Sequence, residues 1–299
     1  MDLIAQLGRW LPQHVDIGAS RIRLPHGSLL KVYQRRFRRY DMALGEIARL
    51  ARDHHPDLHA IDIGANVGDT AALIRKHADI PVLCIEGDAR LLPLLRANCR
   101  PVGAAIEIEP SFVGRSGSVV DLSRIGAAGM NASLVDAVVP ASQAGTGTAR
   151  LASMAEIIAR HPRFERAGLL KIDTEGFDFD IIELSADFLA AAQPIVFFEY
   201  APTFRPDTPD AGPAALRRLA ELGYSHFLYY DNVGNFLLAV AADNLAQCDD
   251  LHSYLLGNER DGTVVHYFDI CAFHARDAAL AEAVRRQERV PPRPARGRD

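Results

Sequence analysis

The residues best suited to chemistry stand at the ends of short apolar runs. Asp62-Ile63-Gly64-Ala65-Asn66-Val67-Gly68 follows one such run and opens a helical pattern. Gly64 allows a sharp turn and a close approach to a ligand, and Gly68 lets the helix start sit close to a sheet. Free amides at such a turn bind a carboxylate or a phosphate. Asn66 stands where a GxGxxG turn has its second glycine, the residue that admits a pyrophosphate, which weighs against NAD and FAD. Glu86 ends the next apolar run, 24 residues after Asp62. An acid there accepts hydrogen bonds from both hydroxyls of a ribose. A turn for an amino-acid carboxylate with an acid for a ribose fits S-adenosylmethionine.

A third element, Lys171-Ile172-Asp173-Thr174-Glu175-Gly176-Phe177, carries two acids that alternation puts on one side, if the strand runs that far. Glu199 ends the following run at the same sheet edge, where ligands bind in open α/β folds. Three converging carboxylates could hold a cation, orient hydroxyls or accept a proton. Taken singly, each could instead cap a helix or pair with an arginine.

Positioning these residues requires a repeated strand, turn and helix from Leu58 onward. Residues 60–63, 81–86, 104–109, 169–173 and 195–199 read as strands; 70–78, 89–99, 152–159, 179–189 and 214–222 read as helices, with Asp69 placed to cap the first. This alternation predicts an α/β fold with a doubly wound, mainly parallel sheet. Residues 226–230 and 235–240 flank Asp231-Asn232-Val233-Gly234 and predict an antiparallel hairpin closing one edge. Residues 251–256 read as a helix and 264–271 as a strand. Residues 114–148, rich in Gly, Ser and Ala, read as loop with a strand signal at 119–122.

Ahead of this core, residues 1–15 suggest a short amphipathic helix, and 21–24 with 28–33 a hairpin around Pro25-His26-Gly27. A helix begins near Met42 and ends by His54-His55-Pro56. Arg35, Arg36, Arg38 and Arg39 crowd around Phe37. They read as a solvated helix entry or as a grip on an anionic substrate.

The chain has 299 residues, 48% apolar and 24% charged, with a formal charge of −5. That is globular composition; it excludes wholesale disorder, collagen and coiled coil, and argues against a surface that wraps nucleic acid. Cys84, Cys99, Cys248 and Cys271 form no CxxC pair, so neither a zinc cage nor a disulfide framework is expected, but buried reduced thiols are. No run approaches about 18 apolar residues, and the start, with Asp2, lacks a secretory pattern, so a cytoplasmic protein is expected.

DIGANVGDT, IEGD, LLKIDTEGFDFDIIE, PIVFFEY and LGYSHFLYYDNVGNF together resemble the FkbM family of S-adenosylmethionine-dependent methyltransferases over residues 60–238. The resemblance implies a Rossmann-like class I methyltransferase fold and O-methylation of sugars, polysaccharides or polyketide-type natural products. It places Asp62, Gly64, Asn66 and Gly68 at the methionine end of the cofactor, Glu86 on the ribose, and Asp88 or Ser111 near the adenine, with Ala65 and Gly87 also among the cofactor-binding residues. Gly87 departs from the pattern, which has a proline after the acid. The expected division is a helix and hairpin extension over 1–57, a methyltransferase domain over 58–284 and a disordered basic tail over 285–299. A homo-oligomer is compatible with it.

Catalysis is expected from Asp173 first, as base or acceptor anchor, then Glu175 and Glu199. His226, His252, His266 and His274 read as structural rather than basic groups. Tyr200, Tyr229 and Tyr230 line an acceptor sugar or pack in the core. Magnesium on Asp173 and Glu175 is an alternative use of those acids, and no metal site is expected. The rival readings are a nicotinamide-dependent oxidoreductase, an aminopropyltransferase, a nucleic-acid methyltransferase and a non-catalytic binding protein.

Overall fold

Four-residue runs such as Ala60–Ile63, Val82–Ile85 and Leu169–Ile172 are too short for stable helices and are buried at every position. Such runs become inner parallel strands, covered by helices on both faces. The computed structural model describes residues 13–102, 105–123, 137–140, 142, 147–257 and 265–289.

In chain order the first elements are β1 (Gln13–Ile17), β2 (Ser20–Leu24), α1 (Leu30–Arg36), α2 (Met42–His54), β3 (Ala60–Ile63), α3 (Asp69–His77), β4 (Val82–Ile85), α4 (Leu92–Cys99) and β5 (Ile106–Glu109). There follow β6 (Phe112–Val113), β7 (Ser118–Asp121), β8 (Val138–Pro140), β9 (Thr148–Ala152), α5 (Met154–Arg160), β10 (Leu169–Ile172), α6 (Asp178–Leu184), α7 (Ala186–Ala192) and β11 (Ile195–Tyr200). The last are α8 (Ala211–Glu221), β12 (Tyr224–Asp231), β13 (Phe236–Ala241), α9 (Ala246–Leu256), β14 (Phe268–His274) and α10 (Ala278–Glu288).

The large sheet has eight strands in the order β13-β12-β14-β11-β10-β3-β4-β5. The run from β11 to β5 is parallel. The architecture is the expected doubly wound α/β sheet, with a difference at its edge. The β12–β13 hairpin forms, but β14 inserts between it and β11, antiparallel to both neighbours. No local turn announces this pairing, because β14 comes from the far end of the chain. One core layer, with Ile61, Leu170, Ile181 and Phe198, covers one face; a second, with Ile47, Ala48, Val82 and Leu169, covers the other. The period of Leu44, Ile47, Ala48 and Ala51 turns one side of α2 onto that second face.

The N-terminal hairpin lies earlier than expected. β1 and β2 pair around Gly18 at φ +60°, and residues 30–36 form α1 instead of a second strand. Buried Asn98 ties this hairpin to the rest. It accepts from the Arg23 amide at 2.9 Å and donates to the carbonyls of Arg23 and Val67, each at 2.9 Å. Residues 1–12, where the N-terminal helix was expected, lie outside the described residues.

The segment expected as loop holds more structure than its composition announces. β6, β9, β7 and β8 make a second sheet of four strands, with residues 124–136 outside the described residues. Ser153 and Glu156 close a capping box at the start of α5. Two further boundaries move. Asp69 is the first residue of α3, not its side-chain cap; Gly68 at φ +83° holds that position. α10 continues to Glu288 with Val284 buried, so the chain is still helical past residue 284. Residues 290–299, most of the expected disordered tail, lie outside the described residues.

Candidate functional site

Strand register sets the site before any side-chain detail. β3, β4, β10, β11 and β14 are aligned so that Cys84, Asp62, Lys171, Phe197 and Cys271 form one row across the sheet. Two residues further on, the same face presents Glu86, Gly64, Asp173, Glu199 and Asp269. The Glu199–Asp269 pairing belongs to the β11–β14 ladder itself. Four acids from four strands thus reach one face at one edge of the sheet.

A cleft of about 1020 Å³ opens over that edge. Its lining includes Gly64, Asn66, Glu86, Gly87, Asp88, Ser111, Asp173, Glu175 and Glu199. Of the residues assigned to cofactor and catalysis, Asp62, Ala65 and Gly68 do not reach its wall. Asp62 and Ala65 are buried beneath the turn, and Gly68 serves α3.

The turn after β3 is held in left-handed backbone at three positions, Gly64 (φ +78°), Asn66 (φ +49°) and Gly68 (φ +83°). Gly64 allows no side chain: a Cβ would sit 1.9 Å from the Asp173 carbonyl oxygen. The turn therefore lies directly against the β10 loop. Asn66 tolerates left-handed backbone better than most residues, which lets it replace a glycine.

Glu86 accepts from the Asn66 amide and from the Asp88 amide, both at 2.8 Å, one on each oxygen. Each carboxylate oxygen keeps a second lone pair for a ligand hydroxyl. Burial, against those amides, raises Glu86 to about 7. A Cβ on Gly87 would strike the Phe112 ring at 2.2 Å, so that ring occupies the space that a proline here would need. Asp88 lines the cleft but is bound to Arg90, whose Nη2 donates to Oδ2 at 2.7 Å.

Lys171 is the charged residue the sequence reading left without a role. It lies buried within β10, 3.4 Å from Asp62 and 3.2 Å from Asp173. Burial opposes its charge, but Asp173, Asp62 and Asp69 outweigh burial and hold it protonated above the usual lysine range. Neither Asp62 oxygen has a hydrogen bond that would complete its shell. A lysine inside an otherwise apolar four-residue strand was the signal for this role.

β10 ends at Ile172, so simple alternation does not carry Glu175. Glu175 instead adopts φ +54°, and this turn brings it into the cleft. Asp178 fixes the loop, accepting from Thr174 Oγ1 at 3.0 Å and from the amides of Thr174 (3.3 Å) and Gly176 (3.2 Å). Burial, then Asp173 and Asp178, raises Glu175 to about 8. Asp69 also lines the cleft, raised by burial to about 6.

The opposite wall was not foreseen. It comes from Tyr33, Phe37, Tyr40 and Asp41 before α2, from Asn232 and Val233 in the β12–β13 turn, and from His266 and Tyr267 leading into β14. Tyr33 packs on Phe37 and Tyr40, with ring centroids 6.2 and 5.4 Å apart. Gly234 joins two of these segments, since a Cβ there would lie 2.1 Å from the Arg39 carbonyl oxygen.

Tyr200, Tyr229 and Tyr230 do not line an acceptor; all three are core residues at 1% exposure or less. Tyr200 bonds His252 at 2.9 Å. His226 contacts Ser225, and His274 accepts from the Arg276 amide, so of the four histidines His266 alone reaches the cleft. The arginines 35, 36, 38 and 39 do not line it. Arg39 is spent on Glu288 and the Gly234 carbonyl, and Arg36 lies 5.6 Å from the Phe37 ring centroid.

The four cysteines are buried and free. Among the described residues no group of three or more His, Cys, Asp and Glu has the geometry of a metal site. No described helix is long and apolar enough to cross a membrane.

The residues fit S-adenosylmethionine on structural grounds: a side-chain-free turn, and a buried acid oriented by two amides with lone pairs to spare. Glu86 would hold the ribose, and Gly64 and Asn66 the methionine end.

No curated protein matches the sequence. Among solved structures, the methyltransferase FkbM of Methylobacillus flagellatus KT is 13% identical, with 62% of this chain and 43% of that one covered and a TM-score of 0.42. Precorrin-6y C5,15-methyltransferase of Geobacter metallireducens GS-15 is 12% identical over 73% of this chain and 80% of that one, with a TM-score of 0.35. The fibrillarin pre-rRNA processing protein of Methanococcus jannaschii is 10% identical over 89% and 83%, with a TM-score of 0.40. The decisive match is to a family rather than to any one structure. The "Methyltransferase FkbM domain" family matches residues 62–225, from Asp62 to the start of β12, and the chain belongs to that family of S-adenosylmethionine-dependent methyltransferases.

Proposed function

We propose that the protein methylates a hydroxyl of a sugar, polysaccharide or natural-product acceptor. One contact carries this reading: Gly64 of the donor turn lies against the Asp173 carbonyl. The donor site and the carboxylates able to take a hydroxyl proton are thereby side by side. The donor supplies a methyl group already activated by its sulfonium. The protein aligns the acceptor oxygen and excludes water, and such positioning can contribute up to roughly 7–11 kcal/mol.

A carboxylate near that oxygen takes its proton, worth about 10²–10⁴ in rate. Asp173 is exposed, where Glu175 is half-buried and Glu199 buried, and it neighbours Lys171, which suits an acceptor anchor. Glu175, raised to about 8, suits proton transfer near neutral pH. Tyr33, Tyr40 and Tyr267 offer aromatic faces and hydroxyls to a polyol. A single Lys or Arg, Lys171, appears in the described lining, which disfavours a nucleic-acid acceptor. The free buried thiols support a cytoplasmic location.

The test is transfer of labelled methyl from S-adenosylmethionine to panels of sugars, oligosaccharides and polyketide alcohols, with the methylated atom located by mass spectrometry. Label on nitrogen, or only on nucleic acid, overturns the reading. Asp173→Asn should lose turnover by at least about 10²-fold with donor affinity kept within about threefold.

A further inference from the structure

The arginines between α1 and α2 take no part in the cleft, yet they stand in a stretch of one-sided charge. Residues 17–40 hold seven Lys or Arg and no Asp or Glu, in a chain whose formal charge is −5. Arg21 pairs with Asp16 and Arg39 with Glu288. Arg35, Arg36 and Arg38 are exposed, and none of the three has a carboxylate partner among the described residues.

The same stretch exposes apolar side chains. Leu29, Val32 and Tyr33 are three of the seven large hydrophobic residues that stand exposed among the described residues, Leu29 at 52% and Val32 at 54%. Leu29, Val32, Tyr33 and Arg36 recur at the i, i+3, i+4, i+7 spacing of one helix face, which here points outward. Leu30 takes the other side. It is buried in a cluster with Ile22, Leu24 and Leu91, which anchors α1 to the N-terminal hairpin.

A fixed face that joins aliphatic and cationic side chains, with no acid among them, matches one kind of surface. Its aliphatic groups gain by leaving water for acyl chains, and its arginines gain from negative headgroups. A nucleic acid would satisfy the arginines and leave Leu29 and Val32 in water. A second copy of the chain, docked face to face on this patch, would set arginines against arginines.

We propose that Leu29, Val32 and Tyr33, with Arg35, Arg36 and Arg38, form a docking face for an anionic lipid membrane surface. Leu29 and Tyr33 also line the cleft, as does exposed Phe204. Docking therefore sets the mouth of the cleft at the lipid surface, while the acids inside the cleft repel the headgroups themselves. An acceptor carried by that surface meets the site there. This last consequence rests on the methyltransferase reading; the docking itself needs neither donor nor acceptor.

Vesicle flotation of the full chain, without donor or acceptor, tests the docking. At roughly 0.1 M salt the protein should bind vesicles of phosphatidylcholine with about 30% phosphatidylglycerol at least about tenfold more tightly than vesicles of phosphatidylcholine alone. Salt at about 0.5 M should remove most of that margin. Arg35→Ala, Arg36→Ala and Arg38→Ala combined should weaken binding to the anionic vesicles by at least about tenfold. Val32→Glu should weaken it by a similar factor, whereas Val32→Leu, which keeps the apolar contact, should hold it within about threefold. These are exposed positions, so melting temperatures should stay within about 2 °C of wild type. With a soluble acceptor the combined arginine variant should keep its KM, since these arginines act only where lipid is present.

Equal binding to anionic and neutral vesicles, no binding to either, or a Val32→Glu variant that binds as wild type overturns the proposal. Tighter binding to single-stranded RNA than to anionic vesicles at the same salt overturns it also, and makes the patch a nucleic-acid site. If the combined arginine variant melts far below wild type, Val32→Glu and the salt series still decide. All of these outcomes leave the methyltransferase reading standing, because donor calorimetry tests that reading separately.

Discussion

On the β3–β4 side of the cleft the groups offered to a ligand are mostly backbone: the turn Gly64 to Gly68, and amides that aim a single acid, Glu86. On the β10–β11–β14 side they are side chains, delivered by residues 33–41, 173–175, 199, 232–233 and 266–267. The first is a local device, set largely by the conformations that the five consecutive residues Gly64 to Gly68 adopt. The second exists only once a sheet edge has assembled, with β14 inserted beside β11. One side should therefore fail as a unit when its backbone is disturbed, and the other should fail piecemeal.

The largest effect expected is from Gly64→Ala. The residue sits at φ +78°, and the added Cβ would meet a backbone carbonyl at 1.9 Å, which cannot swing away as a side chain would. Left-handed strain alone costs about 1–3 kcal/mol, and displacement of the Asp173 loop adds to it. Donor affinity should fall at least about 10²-fold with a lowered melting temperature. Near-wild-type binding would break the contrast, because the turn would then tolerate a side chain where the structure allows none.

The two sides differ in the same way in how much of them the sequence reveals. The parallel strands, the Gly64 turn and the placing of Glu86 are all legible, because each is encoded within a dozen residues by apolar runs ended by glycine or acid. The Glu86–Asp173–Glu199 alignment is legible too, since parallel strands of known ends fix a common edge. The insertion of β14 is not, because nothing near residue 268 states which strand it joins. Asp269 and Tyr267 were invisible for that reason, and so was Tyr33, in a segment that reads as a strand yet folds as α1. Tyr229 and Tyr230 misled as acceptor candidates because aromatic residues near a strand end fit a core as well as a cleft. Lys171 was readable, as a charge inside a buried run, but its partners were needed to give it a meaning.

The next effect in size separates the sides by pH. Burial raises Glu86 to about 7 and Glu175 to about 8, above unfolded values near 4.3. A carboxyl with a raised folded pKa stabilises the fold through its protonated form. That contribution is complete below the unfolded value and is lost as pH rises through the folded one. The ligand-free protein should therefore lose stability from about pH 4.3 up to about pH 8 and change little above it. His59, His274 and buried His252 have lowered pKa values and oppose this trend below about 6.5, so the loss is cleanest from about pH 6.5 to 8. Donor affinity should move the opposite way and rise from pH 6 to 8, as Glu86 becomes the ionised acceptor a ribose needs. Parallel trends, read by thermal melts and calorimetry at matched pH, would contradict a carboxylate-held ribose.

Tyr267→Phe should be smaller and confined to one side. It removes a hydroxyl from the cleft wall while keeping the ring. Acceptor KM should rise about three- to tenfold, the range of one or two lost hydrogen bonds at about 0.5–1.5 kcal/mol each. Donor affinity should stay within about twofold. A donor effect as large as the acceptor effect would show that the two walls do not divide the ligands as their construction suggests.

The smallest effect expected is at the arginines before α2, and it decides between the two uses the sequence leaves open for them. Arg35 and Arg38 do not line the main cleft, whose described lining contains one Lys or Arg, Lys171. The cleft is crowded with acids, so an anionic acceptor would meet repulsion at the reacting end before any arginine at the rim could help. As solvated charges on a helix entry, these arginines should matter little: Arg35→Ala and Arg38→Ala should each change stability by no more than about 0.5 kcal/mol and acceptor KM by less than about twofold. If they instead grip an anionic acceptor, each would raise KM by about fivefold or more, and added salt would raise the wild-type KM in the same direction through screening. Flat kinetics from 0.05 to 0.5 M salt with the two variants unaltered would leave the acceptor neutral or cationic, matching a wall built from tyrosines and carboxylates.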